Sequence, residues 1–190
     1  MKSRMPERRS ILTFLVALAL FAGSSSSISA QLQENYTYTV AVLGGIGGAL
    51  DADIDPGLGE PSFMIHASLV TEPRTLVGVR AGRLKIEDEE GFEEFTGADL
   101  EYVNISGEYR FSQGFYDYGV YLGIGYYQLS GELRVGGDHD ESDLGGVVGF
   151  TGDFDVTRHI SIVGDFAVHY VWVDAASIYG MANIGVAFHF

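Results

Sequence analysis

Along most of this chain, apolar and polar residues alternate at every second position. A period of two confines the backbone to strands rather than helices. Residues 100–111 show it most clearly. Val103, Ile105, Gly107, Tyr109 and Phe111 share one face, while Asn104, Ser106, Glu108 and Arg110 share the other. Residues 118–127 repeat the pattern, with Tyr118, Val120, Leu122, Ile124 and Tyr126 set against Gly119, Tyr121, Gly123, Gly125 and Tyr127. In 160–172, Ile160, Ile162, Phe166, Val168, Tyr170 and Trp172 oppose Asp165 and His169. In 180–190, Ala182, Ile184, Val186, Phe188 and Phe190 oppose Asn183, Gly185, Ala187 and His189. Four further stretches, 36–46, 63–70, 76–85 and 144–150, carry weaker forms of the alternation; in the third, Val77, Val79 and Ala81 oppose Gly78, Arg80 and Gly82. Eight strands are therefore predicted. Gly and β-branched residues interrupt nearly every window in which a helix would fit.

The strands are long and their connections uneven. Several stretches run roughly 10 to 13 residues, beyond the five or six of a soluble strand and close to the 9–11 that a tilted strand needs to cross a bilayer. The connections at 72–74 and 112–114 are short and that at 152–158 somewhat longer, whereas 47–61, 86–99 and 131–143 are long and 174–177 is short again. Short turns at one end and long loops at the other are the plan of an outer-membrane barrel, and an even strand number puts both termini at the short-turn, periplasmic end. One apolar face per strand would be a large water-exposed patch on a soluble barrel, which monomers avoid. The apolar-face aromatics Tyr109, Phe111, Tyr118, Tyr126, Tyr170, Trp172, Phe188 and Phe190 lie mostly near strand ends, as interfacial girdles do.

Residues 1–30 have the form of a secretory signal peptide. Lys2, Arg4, Arg8 and Arg9 precede the apolar run 11–22, and small residues lead to a cut near Ala30. That run of 12 residues is too short for a span of about 20. The whole chain carries 11 Lys and Arg against 26 Asp and Glu. Cleavage would remove four of the former and one of the latter, leaving 7 against 25 and a net charge of −18. Such acidity argues against nucleic acid as a partner. With no cysteine, there is no disulfide framework, thiolate metal site or lipid-modified cysteine. No later stretch is long and apolar enough for a transmembrane helix, so a membrane-resident chain must close into a barrel.

The run 118–126 and the ending Gly185-Val186-Ala187-Phe188-His189-Phe190 resemble the small outer-membrane barrels of the OmpX and OmpA type. The resemblance covers the 31–190 barrel in layout and the later strands in residue detail. It implies that Phe190 and Phe188, in the alternating terminal strand, form the signal read by the barrel-assembly machinery. No peptidoglycan-binding domain is expected after the barrel.

Four constellations are candidates for function. The polar faces of the strands, turned into the barrel, would gather Arg80, Glu108, Arg110, Asp165 and His169, with Asn104, Tyr121 and Tyr127 nearby. Eight strands leave an interior filled by side chains, so these are expected to form a paired core, or else line a narrow gated pore. The long loops are acidic: Asp51, Asp53 and Asp55; then Glu87, Asp88, Glu89, Glu90, Glu93 and Glu94; then Glu132, Asp138, Asp140, Glu141 and Asp143. They read as a solvated surface or as sites bridging divalent cations to lipopolysaccharide phosphates. Asp51-x-Asp53-x-Asp55 fails as a calcium loop, with Pro56 at the sixth position and Ser62 at the twelfth. His66 and Ser68 share a strand face as in outer-membrane lipid A deacylases, but Phe63, Ile65 and Leu69 would take the lipid side and turn the pair inward. His139 and His159 lack metal-ligand spacing.

These readings converge on an all-β, eight-stranded antiparallel transmembrane barrel with an up-and-down meander. It is expected as a monomer in the bacterial outer membrane, in contact with membrane lipid and lipopolysaccharide, with no cofactor, metal or catalytic residue. Its expected role is structural, in envelope integrity or surface contact. A narrow porin for small solutes or hydrophobic compounds is the first alternative. A lipid A hydrolase and a soluble lipocalin-like carrier are the others.

Overall fold

The computed structural model describes residues 37–50, 59–86, 95–113, 116–133, 138–172 and 178–190. The segment read as a signal peptide and most of the long-loop acids lie outside them. Every regular element described is a strand: β1 (Tyr38–Ala49), β2 (Glu60–Glu72), β3 (Thr75–Ile86), β4 (Phe95–Gln113), β5 (Tyr116–Leu133), β6 (Asp138–Asp155), β7 (Ile160–Val171) and β8 (Ile178–His189). Each pairs antiparallel with its neighbours in sequence, and β1 pairs with β8, so the sheet closes into a barrel in meander order. At the seam Phe190 N donates to Tyr38 O and Tyr38 N to Phe190 O, at 2.9 and 3.1 Å. The last residue of the chain is thereby part of the closure.

The registers fix the barrel's geometry. Starting at Thr39 and stepping across each ladder leads through Ser68, Gly78, Ser106, Gly123, Val147, His169 and Tyr179 back to β1 at Ala49. The return is ten residues from the start, from 39 to 49, which is the shear. Eight strands with this shear tilt by about 40° and leave a lumen that side chains can fill.

The start of β1, the end of β8 and the short β2–β3, β4–β5 and β6–β7 connections lie at one end, here the turn end. The β2–β3 turn is Pro73-Arg74, where Arg74 adopts φ 77°. Proline presets the first turn position, and the second takes positive φ as in a type II turn, which strains a non-glycine residue. The other end is the loop end. There the strands run further than the alternation implies: β4 has 19 residues and β5 and β6 have 18 each. Part of what reads as loop is therefore strand, including Asp140, Glu141 and Asp143 on β6.

Period two becomes two surfaces. At the outward positions of 40–46, 63–69, 77–81, 103–111, 116–126, 144–154, 160–172 and 182–190, every residue is Val, Ile, Leu, Phe, Tyr, Trp, Ala or Gly. Many are widely exposed, with Leu122 at 70 % and Ile124 at 76 %. The belt ends at its loop side on four polar residues in register, Arg83 with Glu101, Glu101 with Gln128 and Gln128 with Ser142. Arg83 Nε donates to Asp99 at 2.9 Å there, outside the belt. The inward positions form the core.

Candidate functional site: a filled polar lumen

The inward face holds three layers. Nearest the turn end lies a chain of alternating charge: Asp153, Arg110, Glu108, Arg80 and Asp165. Glu108 is its centre. It accepts from Arg80 through Oε2 at 2.7 Å and from Arg110 through Oε1 at 2.7 Å. Arg110 also donates to Asp153, and Arg80 to Ser106. Beyond Glu108, Arg80 Nε faces Asp165 at 4.0 Å, and Tyr121 OH donates to Asp165 at 3.0 Å. The Arg80 guanidinium lies 3.6 Å from the centre of the Tyr121 ring, a cation–π contact.

β3 and β7, which carry Arg80 and Asp165, are four strands apart in a ring of eight, on opposite walls. The network therefore crosses the lumen. All five charged groups are buried, Arg80 at 1 % exposure and Asp165 at 6 %. Burying a charge is costly unless it is paired and hydrogen-bonded. Alternation along the chain pairs every charge, with only Arg80 Nε and Asp153 Oδ1 lacking a hydrogen bond among its described atoms, and leaves a net charge of −1, from three carboxylates and two guanidiniums.

Above this lies an aromatic layer. Tyr127 OH and His169 Nδ1 are 2.9 Å apart, and the Tyr102 ring lies 4.8 Å from that of His169 and 5.8 Å from that of Tyr127. Glycine on the neighbouring strand makes room for these rings. Tyr102 pairs with Gly82 and Tyr121 with Gly149. A Cβ at Gly82 would lie 2.5 Å from Tyr102 OH, and one at Gly149 would lie 2.5 Å from Tyr121 Cε1. The third layer, at the loop end, is apolar: Leu84, Leu100, Leu129, Val171, Tyr179 and Met181, all buried. A separate clamp holds the turn end. His189 sits 3.0 Å from Thr39 Oγ1 through Nδ1 and 2.9 Å from Ser161 Oγ through Nε2, tying β8 to β1 and β7.

Among the residues singled out from sequence, the fold brings Arg80, Glu108, Arg110 and Asp165 into one network. His169 lies apart, in the aromatic layer. His66 and Ser68 point into the lumen, buried, with His66 paired across the ladder to Arg80. Their polar atoms lie on the side of the wall away from any lipid. Asp153 was missed because 152–158 reads as a turn; its signal was its phase, two residues beyond Thr151 on the inward face. The apolar layer was missed because inward positions were read as polar throughout. Among the described residues, no group of three or more His, Asp and Glu is arranged to hold a metal.

No protein-family model matches the chain, and no curated protein matches it. Solved structures do. Neisserial surface protein A superposes with a TM-score of 0.67 at 16 % identity, over 80 % of this chain and 97 % of that one. Ail, the attachment invasion locus protein of Yersinia pestis, gives 0.57 at 12 %, over 81 % and 97 %. The outer membrane protein OprG from Pseudomonas aeruginosa gives 0.57 at 8 %, over 82 % and 96 %. At such identities what is shared is the architecture, and the fold of this chain is that of the small eight-stranded outer-membrane β-barrels.

Proposed function

We propose that this chain is an outer-membrane barrel that works through its surfaces, in envelope support and contact at the loop end, and does not carry solutes. The observation that carries this reading is the filled lumen. A wall-to-wall charged layer, an aromatic layer and an apolar layer are stacked along the axis, and a permeating ion would have to displace all three. An uncharged, exposed belt on every strand supports residence in lipid, since a soluble monomer would not present so large an apolar surface to water. The barrel sits there as a monomer, with lipopolysaccharide at its loop end. Phe188 on β8 and Phe190 directly after it serve as the signal for the assembly machinery. Two of the structural neighbours are by name a surface protein and an attachment protein. Acids at the loop end, among them Glu101 on β4 and Asp140 and Glu141 on β6, favour partners that are cationic or bridged by cations.

Planar-bilayer recording tests the reading. The purified barrel is expected to give no stepwise conductance. Regular steps that scale with electrolyte conductivity would overturn it in favour of the narrow porin. Residence in the membrane is tested separately, by a gel shift between unboiled and boiled protein from the outer-membrane fraction. The inward burial of His66 and Ser68 counts against a lipid A hydrolase at that pair.

A further inference from the structure

One part of the lipid-facing belt is not smooth. At the turn end of β5 and β6, a groove of about 560 Å³ opens outward. Its walls are the rings of Tyr116, Tyr118, Phe150 and Phe154, and Gly152 forms its floor. Tyr118 stacks on Tyr116 at 6.2 Å and meets Phe150 at 6.1 Å, so one wall is continuous. The floor is not forced to be glycine. A Cβ at Gly152 would meet nothing nearer than Asp117 O at 3.9 Å, whereas Gly82, Gly145 and Gly149 inside the barrel lie under tyrosine rings. Gly152 pairs with Gly164 on β7, so the position beside the floor also carries no side chain.

The charge around the groove has one sign. No Lys or Arg lines it. Two acids do, Asp117 and Asp153, which are cross-strand partners, and Arg110 donates to Asp153 from inside the barrel. Both charged residues of the lining are therefore acidic, and the groove's own lining is negative. An aromatic cleft on a negative wall attracts a cation to the ring faces and repels an anion.

Resting on the reading of the belt as membrane-embedded, we infer that this groove binds the ammonium headgroup of a zwitterionic phospholipid, of the ethanolamine type, in the leaflet at the turn end. The ammonium lies against the faces of Tyr118 and Phe154. The acyl chains run up the belt, and Gly152 leaves room for the glycerol.

The test uses the full barrel in mixed micelles of phosphatidylethanolamine and phosphatidylglycerol with matched acyl chains, with native mass spectrometry reading the lipid retained. Wild type is expected to retain the ethanolamine lipid about fivefold over the glycerol lipid, the size of one partly desolvated cation–π contact. Gly152→Leu, which fills the groove from a position with space for it, is expected to bring the ratio near one. Phe154→Leu, which keeps the surface apolar but removes a ring, is expected to do the same. The gel shift on boiling confirms that each variant is folded. A folded, membrane-embedded wild type without headgroup preference, or a preference that survives both substitutions, overturns the inference alone. A protein recovered only from the soluble fraction overturns the membrane reading with it.

Discussion

Replacing Arg80 with Met removes the guanidinium that crosses the lumen while keeping an unbranched side chain of similar reach. In the native barrel three carboxylates face two guanidiniums. Arg80→Met leaves Glu108, Asp153 and Asp165 facing Arg110 alone, a net charge of −2, and takes away the cation that faces Asp165 across the lumen. Removing one partner from a buried ion pair costs about 3–5 kcal/mol, because the partner left behind stays desolvated. The stack of Arg80 on Tyr121 belongs to the same contact and is not added to that figure. With a urea slope of about 2 kcal/mol per molar, the unfolding midpoint falls by about 1.5–2.5 M. The assay is urea unfolding of the barrel refolded into lipid vesicles. It is followed by emission from Trp172, the single tryptophan, and by the gel shift. Adding Asp165→Asn returns the network to −1, and the double variant is expected to regain at least about 0.7 M of that loss. A shift below about 0.5 M for Arg80→Met would refute the reasoning, since it would mean the lumen holds enough water to solvate the freed carboxylates. A double variant no more stable than the single would refute it too, by showing that charge pairing is not what was lost.

Gly149→Ala drives a Cβ into the Tyr121 ring and is expected to cost about 1–3 kcal/mol in the same urea assay. Gly107→Ala, on the outward face with nothing within 4 Å, should stay within about 0.5 kcal/mol of wild type. Leu100→Ala opens a hole in the apolar layer and should cost about 2–4 kcal/mol, yet bilayer recordings of it should stay silent because the charged layer still spans the lumen. Deleting Phe190 removes its backbone bonds to Thr37 and Tyr38 at the seam together with the terminal aromatic, and should lower the amount of folded barrel in the outer-membrane fraction. Equal amounts with and without Phe190 would count against its role in assembly.

What the sequence discloses about this barrel follows from where one solvent dominates. Beside lipid every outward residue must be apolar, so period two survives in all eight strands and their number is legible. Past the belt, that constraint lapses. At the loop ends of β4, β5 and β6, the outward residues are Asp99, Glu101, Gln128, Ser130 and Ser142, and the inward ones include Leu100 and Leu129. On β4 and β5 the alternation inverts there, polar outside and apolar inside, so the apolar layer is not legible as strand. On β6 polar residues occupy both phases, Asp140 and Ser142 outward and Glu141 and Asp143 at inward register positions, so no alternation shows and the stretch reads as loop. Asp153 was lost at the other end, where Gly152 resembles the start of a turn although the strand continues to Asp155.

Pairings inside the lumen are a different matter, because they depend on register and not on pattern. Arg80 and Asp165 meet only if the ladders from β3 to β7 are aligned as they are. The outward belt cannot enforce that alignment. A slip of two residues in any ladder keeps every outward face apolar, since all its members are interchangeable in lipid. The inward face is not so tolerant. A two-residue slip between β3 and β7 moves Asp165 about 7 Å along its strand relative to Arg80, well beyond the 4.0 Å at which they now stand. Where the slip falls in the β5–β6 ladder, it would also set a residue other than Gly149 beneath the Tyr121 ring. The cost of a slipped state is then the cost of an unpaired buried charge, about 3–5 kcal/mol, plus, in that ladder, a steric clash. The charged layer that closes the lumen thus also fixes the register of the arc from β3 to β7, and with it that arc's share of the shear of ten. An apolar lumen of equal volume could hold the barrel together without fixing that register.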